Sequence, residues 1–155
     1  MYVELHTSSA FSFLRAASLP EPLIERAALL GYPAVALLDR DGVYGAPRFH
    51  KAAKAAGLRP IIGAELTVTS VQGTDGAGPG RGRHSSRRSE TARPPAPGSQ
   101  PPAPFVLPVL VSSPEGYRNL CRLITTMKLR SPKGEGALAL EELDGHVHGL
   151  VALAG

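Results

Sequence analysis

The sequence predicts an α/β fold built as an incomplete parallel sheet or barrel, and three observations carry that prediction. Short apolar runs alternate with segments of helical length and helical spacing. The run Ala34-Val35-Ala36-Leu37-Leu38 is apolar at every position, the pattern of a strand covered on both faces, as parallel strands are. Three successive strand candidates end on a residue with chemistry to offer: Val3-Glu4-Leu5-His6, Leu37-Leu38-Asp39 and Gly63-Ala64-Glu65. Strand tips are where barrels and open α/β sheets place their reactive groups.

Taken in order, residues 2–6 form the first strand. Ser18-Leu19-Pro20-Glu21 reads as a helix start, with Ser18 as cap, Glu21 completing a capping box and proline in the first turn. Leu23, Ala27 and Leu30, with Ile24 and Ala28, form the apolar stripe of that helix, and Gly31 ends it. Residues 34–38 are the buried strand. A small-residue helix over 45–56 packs through Phe49, Ala52, Ala53 and Ala56 and stops at Gly57. Strands follow at 60–68 and 105–111. Ser113 and Pro114 open a helix whose expected buried face is Tyr117, Leu120, Cys121, Ile124 and Met127. A helical turn near 141–143 and an apolar strand at 150–153 complete the chain. Five strands do not close an eight-stranded parallel barrel. The last of them has no following neighbour, so residues 1–155 are expected to be a single partial domain, a truncated form or a fragment that needs a partner.

Residues 73–104 hold six glycines and seven prolines without apolar periodicity. Such a segment cannot bury enough surface to offset the entropy of ordering it, so a disordered Pro/Gly/Arg-rich insertion is expected there, interrupting a hairpin-like connection. The same segment explains the net charge of +4. It carries five arginines against Asp75 and Glu90, leaving 12 basic and 11 acidic residues elsewhere. The folded part is therefore nearly neutral, which argues against a nucleic-acid-binding face on it. Trp is absent, so a stacking platform for single strands is not expected either. The single cysteine, Cys121, excludes a disulfide within the chain and fits a cytoplasmic protein, and Cys121 reads as core at helical spacing rather than as a nucleophile. There is no signal-peptide pattern and no apolar run long enough to span a bilayer.

The strand-tip residues His6, Asp39 and Glu65 are the candidate metal ligands. His-x-His at a strand tip grips one ion with two imidazoles, but the second position here is Ser8. Arg40 follows Asp39 and brings fixed positive charge to the place a cation would take, an arrangement that favours a salt bridge to Asp39, Asp41 or Glu65 in place of an ion. A carboxylate at Glu65, in an otherwise apolar strand, needs a partner if it is buried. His146-Val147-His148 has the right spacing for a metal but no carboxylate near it in sequence, and reads as a polar loop. His50 and His84 read as solvated. Neither a P-loop nor GxGxxG is present.

Several of these segments together resemble a known family. Tyr2-Val-Glu-Leu-His6, Ser9-Ala-Phe-Ser-Phe-Leu14, Ala36-Leu-Leu-Asp39-Arg-Asp-Gly-Val-Tyr-Gly45 and Gly63-Ala-Glu-Leu66 are similar to the N-terminal PHP (polymerase and histidinol phosphatase) domain of bacterial C-family DNA polymerase III alpha subunits, the error-prone type above all. Glu115-Gly-Tyr-Arg-Asn-Leu120, Arg122-Leu-Ile124 and Gly149-Leu-Val-Ala-Leu153 match later segments of the same family. The resemblance implies a distorted (β/α)7 barrel, related to the TIM barrel and truncated here. It also implies a zinc or manganese site at strand ends, with His6, Asp39 and Glu65 at ligand positions. Ser8 stands in place of a histidine, Arg15 in place of an aspartate and Arg40 in place of a histidine, so the resemblance implies a vestigial, unoccupied site and no cofactor. Implied partners are the remainder of the polymerase alpha subunit or other replication and repair proteins, with DNA met only indirectly and no membrane. Three readings follow: a non-catalytic scaffold domain of an error-prone polymerase, a metal-dependent phosphoesterase or 3′-5′ exonuclease, and a gene fragment without a function of its own.

Overall fold

The computed structural model describes residues 2–69, 103–132 and 134–154. Strands β1 (Glu4–Thr7), β2 (Ala34–Arg40) and β3 (Arg59–Thr69) are parallel neighbours. Strand β4 (Phe105–Val111) runs antiparallel to β3, and β6 (Leu150–Ala152) antiparallel to β4, so the sheet order is β1-β2-β3-β4-β6. The short β5 (Leu138–Ala139) joins the end of β3 at Val68 and Thr69, past the last β2 pairing at Glu65. The alternation of β and α units predicts parallel neighbours, which holds for β1 to β3. Strand β4 pairs antiparallel to β3, as the hairpin-like connection expected across 73–104 implies. The β3–β4 register runs from Gly63 opposite Leu110 to Val68 opposite Phe105. The expected disordered insertion at 73–104 lies outside the described residues, apart from its last two.

Strand parity divides the sheet into two faces. On one face Val35, Leu37 and Ile62 pack beneath α1 (Pro20–Leu29) and α2 (Ala46–Ala55) against Ile24, Ala27, Phe49 and Ala53. On the same face Ala64, Leu66, Val68 and Val109 pack beneath α3 (Pro114–Arg130) against Leu120, Leu123 and Met127. The other face has no helix over it among the described residues and carries Ala36, Leu38, Ile61, Leu110 and Leu153. Burying Phe49, which is fully inaccessible, contributes roughly 1.5–3 kcal/mol. No helix among the described residues is long and apolar enough to cross a membrane.

Three details differ from the sequence reading. Helix α1 begins one residue later than expected, with Leu19 at the N-cap and no side-chain cap. Ser18 is held instead by its carbonyl, which accepts from Ala10 N–H at 2.8 Å, and Glu21 reaches across to Arg48. Ala28 and Leu30, expected in the α1 stripe, are exposed. Helix α3 is turned about its axis relative to expectation: Gly116, Asn119, Leu120, Leu123 and Met127 are buried, while Tyr117 is exposed and Cys121 half-buried. The cause is a close backbone approach. A β-carbon on Gly116 would overlap the Gly149 carbonyl, and Asn119 Nδ2 donates to the His148 carbonyl at 3.0 Å, so this side of the helix is the one that reaches the chain leading into β6. The Ser113 cap is as expected, its hydroxyl accepting from Gly116 N–H at 3.1 Å.

Candidate functional site

His6, Asp39 and Arg40 lie near the ends of β1 and β2, whereas Glu65, expected at a strand end, lies within β3 at its last pairing with β2; the side chains there fall into two separate clusters. Arg40 and Glu65 are register partners on β2 and β3, so they stand next to each other on the open face, following Leu38 and Gly63. Asp39 pairs with Ala64 and follows Val35 and Leu37, so it points to the helix-covered face. One residue of parity separates the two carboxylates.

On the open face Glu65 is held at both oxygens. His6 Nε2 lies 2.7 Å from Oε1, and Arg40 Nη1 donates to Oε2 at 3.2 Å. Arg40 Nε also lies 3.7 Å from an Asp41 carboxylate oxygen. Asp41 sits in the left-handed region at φ 48, a conformation aspartate tolerates better than most residues. The turn is clasped across β3: Asp41 N–H donates to the Glu65 carbonyl at 2.8 Å, while its carboxylate accepts from Thr67 N–H at 2.7 Å and Thr67 Oγ1 at 2.8 Å. The Arg40 and Glu65 side chains are only 18% and 17% exposed, so this pair is worth more than an open surface pair yet still costs desolvation. A cleft of about 590 Å³ opens in front of it, lined by His6, Arg15, Arg40, Glu65, Val106 and Pro108, with Leu153 and Ala154 closing one side.

On the covered face Asp39 is 1% exposed. Its Oδ1 accepts from Ser9 N–H at 2.8 Å, Ser9 Oγ at 2.9 Å and Ser12 Oγ at 2.9 Å, and its Oδ2 lies 2.9 Å from Ser9 Oγ. Gly45, at the start of α2, leaves the room this needs: a β-carbon there would sit 2.7 Å from Asp39 Oδ2 and 3.0 Å from Ser9 Oγ. Ser12 Oγ also accepts from Arg40 N–H at 3.0 Å, so the cluster ties the 8–16 loop to the end of β2. A buried carboxylate is tolerable when it accepts several hydrogen bonds, and these donors meet that requirement without a cation.

The structure therefore brings His6 and Glu65 together and leaves Asp39 behind the sheet. Of the three partners expected for Arg40, it pairs with Glu65 and Asp41 and not with Asp39. Ser8, at the second position of His-x-Ser, is turned onto the Leu38 carbonyl at 2.9 Å. Arg15 is exposed at the mouth of the cleft. Among the described residues, no three His, Cys, Asp or Glu side chains converge as metal ligands would. The donor set in the cleft does not fit a divalent ion either: the one carboxylate has both oxygens engaged, one of them by a guanidinium. His146 and His148 lie beyond the Val111 end of β4, away from Pro108 and Glu65. His148 Nδ1 is 3.0 Å from Glu115, a carboxylate that sequence proximity does not reveal, and His146 Nδ1 is buried without a hydrogen-bond partner among the described residues. His50 is exposed on α2, and His84 lies outside the described residues. The sequence reading missed Ser9 and Ser12 as a carboxylate-holding pair. It also missed Val106 and Pro108 as cleft wall, since β4 reaches the site only through its antiparallel pairing.

The PHP domain family model matches residues 4–155. The chain is 41% identical over 152 residues to an error-prone DNA polymerase of Mycobacterium tuberculosis, covering 95% of this chain and 12% of that protein. It is 39% identical over 154 residues to an error-prone DNA polymerase of Burkholderia pseudomallei, again spanning 12% of the relative's length. A crystal structure of a protein described as a metal-dependent phosphoesterase from Bifidobacterium adolescentis superposes with a TM-score of 0.50 at 17% identity, over 82% of this chain and 33% of that one, which is a likeness of fold. With the family model matching nearly the whole chain and relatives about 40% identical across it, the chain belongs to the PHP domain family.

Proposed function

We propose that this chain is a non-catalytic PHP module of an error-prone DNA polymerase, a cytoplasmic scaffold for the polymerase remainder during DNA synthesis across damage. The observation that carries the reading is the ion-paired strand tip, where Arg40 and His6 engage both oxygens of Glu65 in the position open to solvent. Metal-assisted hydrolysis needs a cation with an open coordination position and a water on it. Here a guanidinium occupies the carboxylate that such a cation would need, and the serine cluster holds Asp39 on the other face. The relatives that match over nearly the whole chain are polymerases of which it spans about 12%, which supports a supporting part in a larger assembly.

The test is an assay of phosphodiester hydrolysis and of 3′-5′ exonuclease activity on a primer–template, with manganese or zinc added. The expected result is no turnover above that of Glu65→Gln. Metal-dependent turnover that Glu65→Gln abolishes would replace this reading with the phosphoesterase one.

A further inference from the structure

Strands β3 and β4 are not paired along their whole lengths. Strand β3 starts at Arg59 and β4 runs to Val111, yet their pairing stops at Gly63 opposite Leu110. Gly63 marks the parting: a β-carbon there would overlap the Val109 carbonyl and sit 3.2 Å from a Leu110 methyl. Past this point β4 follows β6 instead, with Val111 paired to Leu150 and Ser112 N–H donating to the Gly149 carbonyl at 2.9 Å. The gap that opens is a cleft of about 510 Å³. Ile61 and Ile62 both line it, although Ile61 belongs to the open face and Ile62 to the helix-covered one, so the cleft cuts through the plane of the sheet.

The walls of this cleft are apolar, and a single charge stands at it. Leu110, Val111 and Val151 line it together with the two isoleucines. Arg59 is the only charged side chain among the described residues that line it. It is exposed and makes no ion pair with any described residue. Ser113 Oγ accepts from Gly116 N–H, which leaves its own O–H to donate. The backbone adds a donor and an acceptor. Arg59 N–H donates to the Pro33 carbonyl at 3.0 Å, so by alternation along the strand Ile62 turns its N–H and carbonyl away from β2, toward the gap. The Tyr117 phenol, raised above its ordinary value first by burial and then by Cys121 beside it, adds no negative charge near neutral pH.

We infer that the gap between β3 and β4 binds a small organic acid with an apolar body, of the class of aromatic monocarboxylates. The apolar body fills the gap and removes Ile61, Ile62, Val111 and Val151 from water, in a volume that falls in the range of small-molecule sites. The carboxylate lies at Arg59, whose planar fork matches two carboxylate oxygens, with the Ser113 O–H as a further donor. A neutral molecule of the same shape leaves the guanidinium unanswered, and a cation is repelled by it. No covalent step is involved. This cleft shares no lining residue with the one in front of Glu65, so the inference stands apart from the metal-free reading of that site.

Amide chemical shifts of the isotopically labelled full chain test it, with 2-naphthoate, uncharged 2-naphthamide and cationic 2-naphthylmethylamine as probes. The acid is expected to bind in one saturable step that shifts the amides of Ile61, Ile62, Val111 and Ser113. The amide should bind about fivefold more weakly and the amine not at all. Arg59→Gln is expected to weaken 2-naphthoate about fivefold and to remove the preference for acid over amide. Val151→Glu, which sets a like charge on the wall, should abolish acid binding. Both positions are exposed, so the variants should fold, with circular dichroism as the check. Arg48→Gln, an exposed arginine paired with Glu21 outside the cleft, is the control and should leave binding unchanged. Equal binding of acid and amide, undiminished binding in Arg59→Gln, an equal loss in Arg48→Gln, shifts centred instead on His6 and Arg40, or no saturable shift at millimolar probe each overturns the inference. Self-association that excludes the probe, read by sedimentation velocity, puts a second copy in the gap and overturns it as well.

Discussion

Two carboxylates on neighbouring parallel strands, Asp39 and Glu65, meet opposite fates. Asp39 is buried behind the sheet and satisfied by neutral donors from Ser9 and Ser12. Glu65 faces the open cleft and is satisfied by a guanidinium and an imidazole. Asp39 lies near the end of β2 and Glu65 at the last β2–β3 pairing, one register step further along. The difference is parity: Asp39 shares its face with Leu37 and the helices, and Glu65 shares its face with Gly63 and Arg40. A carboxylate at a strand tip is thus a potential ligand only when its position in the two-residue repeat turns it outward. The other becomes a structural anchor.

The largest expected effect comes from removing that anchor. Asp39→Ala leaves the Ser9 and Ser12 donors unpaired in a buried place and should cost about 3 kcal/mol in denaturant unfolding. Glu65→Ala, in a partly exposed pair, should cost about 1 kcal/mol or less. Equal losses would erase the distinction between the two carboxylates.

A second change sharpens the comparison from the cleft side. Combining Ser8→His, Arg15→Asp and Arg40→His restores residue types that the family resemblance places at ligand positions. Manganese or zinc affinity should rise about a hundredfold over the unchanged chain, a scale set by what ligand-shell changes do in known sites. If Asp39 were a ligand in the restored site, Asp39→Asn would abolish the gain. Its orientation predicts that a correctly folded Asp39→Asn version keeps it.

Gly45→Ala probes the space around the anchor. A β-carbon 2.7 Å from Asp39 Oδ2 should destabilise the chain by about 2 kcal/mol. The penalty should shrink in an Asp39→Ala background, because the two sites are in contact.

The smallest effect is a control far from either carboxylate. Arg130 pairs with Glu142, whose carboxyl is held below its ordinary value first by the Arg130 hydrogen bond and further by Ala139 N–H. A carboxyl with a depressed folded value contributes stability above its unfolded value and loses it as pH falls. This contribution should therefore be full above about pH 4.3 and fade below it. With 43% and 28% of the two side chains exposed, the effect is a few tenths of a kcal/mol, read as a slightly shallower acid unfolding slope in Glu142→Gln.

Much of the fold was legible because periodicity and turn residues speak locally. The strands over 34–40, 59–69 and 105–111 lie where their apolar runs do, and Gly31 and Gly57, at φ 71 and 73, end their helices as read. The turning of α3 was not legible, since it depends on Gly116 meeting Gly149 across more than thirty residues. At the site, His6 and Arg40 were found from their positions near strand ends, and Glu65 as a carboxylate in an otherwise apolar strand, although β3 runs on past it to Thr69. The parity that removes Asp39 was present in the sequence: it is odd-numbered like Val35 and Leu37, whose burial beneath helices only the structure establishes. Ser9 and Ser12 carry no periodic signal, because a loop that folds onto a buried carboxylate is set by tertiary contact alone.

The central claim is that guanidinium charge occupies the strand-tip site in place of a divalent ion. Metal analysis of the purified, chelator-free protein, followed by calorimetric titration with manganese and zinc, tests it most directly. The account predicts no stoichiometric metal and no tight binding. One tightly held ion per chain, lost in Glu65→Gln, would contradict it.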